Sequence, residues 1–198
     1  MKKSISTILF MCFVLSGVTK PIYFKTNSLN WILARPSLDI ETHLITKHSI
    51  GSHYSSGNTF FHPGIGQRPT YSFQTITFDY YYQLISSKNN RFSLRMLAYS
   101  GYIKRCIYDQ EIKRSNFLFN INDLGRDFTG HAIRFGIGTS CLFNIYKRFA
   151  LEYNIGIGAG YYISQQDTYY ANNIVKAPQF KSGYGDMRIA LNLCYRIF

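Results

Sequence analysis

Charge is scarce in this 198-residue sequence: Asp, Glu, Lys and Arg make up 16% of it, against about a quarter in ordinary soluble domains. Acidic residues are scarcer still, 10 against 22 Lys and Arg, which leaves a formal net charge of +12. Long apolar runs are missing as well. The longest, Ile8 to Leu15, falls far short of the roughly 20 residues that span a bilayer as a helix, so a helical membrane protein is excluded. The four cysteines show no metal-ligand spacing, and no cofactor motif is present. What the chain has in quantity is aromatic side chains, 16 Phe and 17 Tyr beside a single Trp. A chain this aromatic and this poor in charge collapses, which excludes disorder. One β-rich domain remains, soluble or membrane-embedded.

Lys2 and Lys3 precede a short apolar stretch, Ile8 to Val18, with small residues Ser16, Gly17 and Thr19 before the chain turns polar at Lys20. This is the layout of a secretory signal peptide, so residues 1–19 are assigned to a leader and 20–198 to the mature domain. Cys12 lies inside the apolar core of the leader and is not placed as a lipoprotein cysteine would be. Cys106, Cys141 and Cys194 then remain, an odd number for an oxidising compartment. They read as small apolar strand residues or as one disulfide with a third thiol left over.

The dominant signal along the mature chain is period two, which places alternate side chains on opposite faces of a strand. In Ser37 to Thr46, Leu38, Ile40 and Leu44 oppose Asp39, Glu41 and His43. In Phe149 to Ile163 the odd positions are apolar or aromatic and the even ones small or polar, including Glu152, Asn154, Gly156, Gly158 and Gly160. The same alternation covers Tyr71 to Leu84, Phe92 to Arg105, His131 to Asn144 and Met187 to Ile197. Two less regular segments, Tyr23 to Leu33 and Ser49 to Ser55, bring the expected number of strands to eight.

Connection lengths alternate too. The turns at Thr46 to His48, Ser86 to Arg91 and Ile145 to Arg148 are short, whereas Asn58 to Thr70, Ile107 to Gly130 and Ser164 to Gly183 are long excursions. An even strand number with short turns at one end and long loops at the other is the plan of an all-β, eight-stranded antiparallel transmembrane barrel of the bacterial outer membrane, with periplasmic turns and extracellular loops. A soluble barrel would carry its bulk inside. Here the small and charged face suits the narrow lumen and the bulky apolar face suits lipid. Aromatics are expected as two girdles: Tyr80, Tyr82, Phe92, Phe143, Tyr146, Phe149, Tyr195 and Phe198 at the short-turn end, and Trp31, Tyr71, Tyr102, Tyr161 and Tyr184 at the other.

The opening Phe24-Lys25-Thr26-Asn27-Ser28-Leu29, followed by Pro36-Ser37-Leu38-Asp39-Ile40-Glu41, resembles the start of a family of small outer-membrane barrels from Bacteroidota classed as a domain of unknown function. Lys147-Arg148-Phe149-Ala150-Leu151-Glu152 and the closing Asn192-Leu193-Cys194-Tyr195-Arg196-Ile197-Phe198 resemble it as well. The departures are Ser37 and Asp39, where Asn and Gly would be usual. The resemblance implies an outer-membrane location, no enzyme activity and no catalytic residues; some relatives accompany surface-fimbria systems. Phe198 resembles the terminal aromatic read by the barrel-assembly machinery, although it is one residue out of phase with Leu193, Tyr195 and Ile197.

Asp39, Glu41, His43, Arg95, Arg134, Glu152, Arg188 and Arg196 share the parity of lumen-facing residues. Isolated charges in a narrow interior are costly, so opposite signs are expected to pair across strands. Such a network either plugs the barrel or lines a polar path for ions and small solutes. His53-Tyr54-Ser55 has the His-x-Ser spacing of an outer-membrane lipid A deacylase barrel, a weak enzyme candidate, since a nucleophilic serine also needs an oriented base. The Gly136, Gly138, Gly156, Gly158 and Gly160 series is no phosphate loop, because these glycines alternate within strands rather than opening a helix. The basic residues are dispersed, which argues against nucleic acid. The short turns carry Lys47, Lys88, Arg91, Lys147 and Arg148 without an acid, a composition suited to anionic lipid headgroups. The nearly charge-balanced loop Ile107 to Gly130 reads as a protein-contact surface.

Overall fold

The computed structural model describes residues 21–32, 35–59, 70–89, 91–109, 112–116, 119–123, 126–169 and 183–197. The expected leader and Phe198 lie outside these. Among the described residues, ten strands and one short helix follow in chain order: β1 (Ile22–Asn27), α1 (Ser28–Ile32), β2 (Ser37–Ile45), β3 (His48–Thr59), β4 (Thr70–Ser86), β5 (Phe92–Asp109), β6 (Ile112–Asn116), β7 (Phe119–Asp123), β8 (Arg126–Tyr146), β9 (Phe149–Tyr169) and β10 (Gly183–Arg196). Eight of them close into an antiparallel barrel in the ring order β1-β10-β9-β8-β5-β4-β3-β2, while β6 and β7 form a separate hairpin.

Alternation explains the two faces. Along β9, Glu152 and Asn154 are fully buried in the lumen, whereas Ile157 is 69% exposed on the outer wall. Phe78, Met96, Phe135, Ile137, Met187 and Leu193 also face outward and exposed, while Thr77, Arg95, Ser140 and Asn192 are buried within. The polar lumen and apolar exterior are those of a transmembrane barrel, in which a closed ring leaves no backbone edge in lipid. No described helix is long and apolar enough to cross a membrane; the strands do so.

The girdle at the short-turn end is built from ring contacts between neighbouring strands, Phe92 with Phe143 at 5.1 Å and Phe149 with Tyr195 at 5.2 Å. At the other end Trp31, Tyr102 and Tyr161 face outward, but Tyr184 does not belong with them. It shares the inward parity of Asp186 and Arg188, and the Arg105 guanidinium lies over its ring at 4.8 Å. Side chains of 71 and 198 are outside the description.

Three segments differ from the alternation reading. The first strand stops at Asn27 rather than Leu33, because the Asn27 side-chain oxygen accepts the Leu29 N–H at 3.0 Å and caps α1, as Asn does at helix starts. The excursion Ile107 to Gly130 is mostly sheet: β5 runs on to Asp109, β8 begins at Arg126, and the β6–β7 hairpin lies between. Likewise β9 continues to Tyr169. These extensions satisfy their backbone groups by pairing with each other. They lack the apolar alternation that a lipid-facing wall imposes.

Because β1 is only six residues long, the seam that closes the ring is short. Five residues of β1 pair with β10, against thirteen of β10 with β9. Cys106, Cys141 and Cys194 are all free, so the disulfide alternative is not realised among the described residues.

Candidate functional site

The lumen is filled in layers. Nearest the short turns, Tyr23, Leu142, Ala150 and Cys194 form a small buried apolar floor. Above it, two cations and two anions from four strands meet across the bore. The ammonium of Lys25 on β1 contacts Glu41 on β2 and donates to Glu152 on β9 at 2.7 Å. The guanidinium of Arg95 on β5 donates to Glu41 at 2.6 Å and to Glu152. Each carboxylate therefore touches both cations, and none of the four side chains is more than 2% exposed.

Neutral groups complete this quartet. Ser140 donates to Glu152 at 2.8 Å, Asn192 donates to Glu152 at 2.8 Å, and Arg95 donates to Ser140 at 3.0 Å. Tyr81 lies across it, its ring centroid 4.7 Å from the Lys25 ammonium and 4.3 Å from the Arg95 guanidinium. Burying four charges is costly in isolation, and reciprocal pairing with satisfied hydrogen bonds is what makes it tolerable.

A second layer lies toward the long-loop end. Arg188 on β10 holds Asp79 on β4 with both guanidinium nitrogens, one at 2.7 Å. Arg134 on β8 pairs with Asp186 on β10 at 2.9 Å. Asp39 on β2 contacts Nδ1 of His53 on β3. Tyr99 on β5 donates to Asp186 at 2.9 Å, and it reaches that far because of two glycines. Strand register puts Tyr99, Gly136, Gly158 and Asp186 in one lateral row across β5, β8, β9 and β10. A Cβ on Gly136 would strike the Tyr99 ring at 2.5 Å and one on Gly156 would lie 3.1 Å from it, whereas one on Gly158 would strike the β8 backbone at Phe135 and Gly136. The ring lies against a wall that has no side chains at 136 and 156.

Comparison with known proteins returns one family and outer-membrane barrels of similar fold. A family model described as "Protein of unknown function (DUF3575)" matches residues 5–197. The chain belongs to the DUF3575 family. A major outer membrane protein from Thermus thermophilus is similar in fold, with a TM-score of 0.53 and 8% identity over 91% of this chain and 100% of that one. Neisserial surface protein A gives a TM-score of 0.42 at 10% identity, over 89% of this chain and 93% of that one. No curated protein is significantly similar in sequence. The DUF3575 chain thus has the fold of outer-membrane barrels.

Of the eight charged residues singled out by parity, the DUF3575 barrel brings Glu41, Arg95 and Glu152 into the quartet and places Asp39, Arg134 and Arg188 in the layer above. His43 stands at the edge, its Nε2 4.0 Å from Glu41, with Ser49 3.0 Å from its Nδ1. Arg196 does not join: its guanidinium donates at 2.7 Å to the Lys147 carbonyl in the β8–β9 turn. Four ionisable partners were not among the eight, His53 beside Asp39 being one. Lys25 lies in a strand too short to establish a period, Asp186 sits one residue before the apolar alternation begins, and Asp79 has lumen parity but pairs with a strand far from it in sequence. His53-Tyr54-Ser55 also resolves. His53 meets Asp39, but the Ser55 hydroxyl donates to the Pro36 carbonyl at 3.1 Å and not to an imidazole. The arrangement lacks the serine-to-base contact that a nucleophile needs.

Proposed function

We propose that the chain serves in the bacterial outer membrane as a structural or surface-interaction barrel whose lumen is sealed rather than conducting. The observation that carries this reading is the quartet of Lys25, Glu41, Arg95 and Glu152, which spans the bore from four strands with its side chains excluded from solvent. An ion crossing the barrel would have to separate those pairs, and breaking a buried pair costs about 3–5 kcal/mol. The floor beneath, formed by Tyr23, Leu142, Ala150 and Cys194, adds a second and largely apolar barrier.

Surface contact is assigned to the long-loop end, where β3, β4, β5, β8 and β9 run past β1, β2 and β10 and the β6–β7 hairpin forms a sheet of its own. The opposite rim carries exposed Lys47, Lys88, Arg91, Lys147 and Arg148 beside the aromatic girdle, which fits anionic headgroups of the inner leaflet. During biogenesis the partner is the barrel-assembly machinery. Reconstitution into planar bilayers tests the seal: the expected result is no steady single-channel current, and a steady current from the wild-type barrel replaces this reading with a narrow pore.

A further inference from the structure

We infer that the outer wall at the long-loop end carries a site for the phosphate headgroup of an outer-leaflet lipid, built around Lys104 on β5 and His131 on β8. Strand register lays the wall out in rows. With parity opposite to the lumen residues, Tyr54, Ile76, Tyr102, Ile133 and Tyr161 form one lateral row across β3, β4, β5, β8 and β9. All five side chains are exposed. The next row toward the loops is Ser56, Gln74, Lys104, His131 and Ser164, and beyond it stand Ser72, Cys106, Thr129 and Gln166. The wall turns from apolar and aromatic to polar within one row.

That step falls where the bilayer ends. From Phe92 in the short-turn girdle to Tyr102, β5 advances roughly 34 Å along its own length, which at a tilt of about 40° is about 26 Å along the membrane normal. The lipid-facing band of an outer-membrane barrel is about 25 Å tall. Tyr102 therefore marks the upper edge of the band. Lys104, one row further, stands roughly 5 Å above it, at the depth of lipid headgroups.

The chemistry at this depth calls for an anion. Lys104 is paired directly with His131 across the β5–β8 ladder, which sets their Cβ atoms about 5 Å apart. The Tyr102 hydroxyl contacts Nδ1 of His131. With that hydroxyl as donor, the neutral ring carries its proton on Nε2, a second donor beside the ammonium. Among the described residues, no carboxylate stands in the three rows, and Lys104 forms no ion pair. Ser56, Ser72 and the Gln74 amide continue the donor set over β3 and β4, where a cavity of about 320 Å³ abuts the two polar rows. A phosphate monoester offers three strong acceptor oxygens to such a set, and charge-assisted bonds to it are the strong ones. Below the donors, exposed Tyr102, Ile133 and Phe135 give the alkyl chains a wall to lie on. A free phosphate would leave that wall unused. The choice of leaflet rests on the orientation proposed above, which surface staining decides; binding in micelles depends on neither the orientation nor the seal.

The test follows backbone amide NMR shifts of the refolded full chain in dodecyl maltoside micelles during titration with dodecyl phosphate. Saturable shifts are expected at Lys104, Thr129 and His131, with inorganic phosphate at constant ionic strength binding about tenfold more weakly or worse. Lys104→Gln should weaken them about tenfold, as loss of one charge-assisted donor does, and Lys104→Arg should keep them. Shifts at Lys88 and Lys147 on the opposite rim should be the same in all three proteins. Absence of a saturable change at Lys104 and His131 overturns the proposal. Equal affinity for inorganic phosphate overturns a lipid as the source of the headgroup, and undiminished binding by folded Lys104→Gln overturns the site itself.

Discussion

Replacing Glu152 by Gln is the sharpest perturbation of the lumen, because it removes one of two anions that hold two cations. In the wild type Glu152 takes charge-assisted bonds from Lys25 and Arg95 and neutral ones from Ser140 and Asn192. A glutamine oxygen can still accept from the neutral donors. Its NH2 group points a donor at cations that need an acceptor, and Lys25 and Arg95 are left with Glu41 alone. Two bonds to charged groups, each worth about 1.5–3 kcal/mol, are lost or weakened, and one positive charge is stranded. Removing one partner of a buried pair costs about 3–5 kcal/mol. With a urea dependence of about 1–3 kcal/mol per molar, the unfolding midpoint of the barrel in lipid vesicles should fall by at least about 1 M. The pair Lys25→Met and Glu152→Gln leaves Arg95 balanced by Glu41, so the double variant should be destabilised by about 1 kcal/mol or more less than the sum of the two single changes. A Glu152→Gln barrel within about 0.5 kcal/mol of wild type, the range of inert surface changes, would refute the reasoning. It would mean that water reaches the quartet and hydrates the stranded charge.

Ile157→Arg puts a guanidinium on the exposed outer face of β9 and should cost about 2–4 kcal/mol if that position lies near the bilayer midplane; folding yields into vesicles equal to wild type would reverse the assignment of faces. Gly136→Ala sets a methyl group against the Tyr99 ring and the Ile157 carbonyl and should cost about 1–3 kcal/mol as an overpacking change; Tyr99→Phe loses the bond to the Asp186 carboxylate and should cost about 1.5–3 kcal/mol. Urea midpoints check both, and either variant within about 0.5 kcal/mol of wild type would contradict the lateral row. An epitope tag at Asn120, in the β6–β7 hairpin, should be stained on intact cells, and a tag at Asn89, in the β4–β5 turn, only after the membrane is permeabilised; the opposite pattern inverts the topology.

Much of this architecture was legible because each barrel wall meets one medium on each face. Met96 and Arg95, or Ile157 and Glu152, announce their sides by chemistry alone, and a period of two follows wherever lipid lies outside. The same rule explains the failures. In Arg126 to Gly130 and Ser164 to Tyr169 the residues do not alternate between apolar and polar, so no period marks these extensions as strand. Lumen partners were legible one at a time but not as pairs: Asp79 and Arg188 come from β4 and β10, and which strands face each other across the bore is a property of ring closure that no local pattern carries. The turn into α1 had its signal in Asn27, a helix-capping residue followed by Ser28 and Leu29, which the apolar Trp31 to Leu33 overshadowed. The family resemblance, carried by short segments such as Lys25-Thr26-Asn27, pointed to the right family without pointing to Lys25 as a member of the quartet.

The brevity of β1 bears on how long the barrel persists once made. With five paired residues at the closing seam, the hydrogen-bond ladder there is the first place where the ring would part. Lys25 is one of those five, and its ammonium reaches past β10 to Glu152 on β9. That bond cannot exist until β1 has met β10, so it belongs to the last event of assembly. Interactions absent from the folding transition state slow unfolding without hastening folding. The quartet thus acts as a latch fastened from inside, and its chief effect is on the lifetime of the closed ring rather than on the speed with which the ring forms.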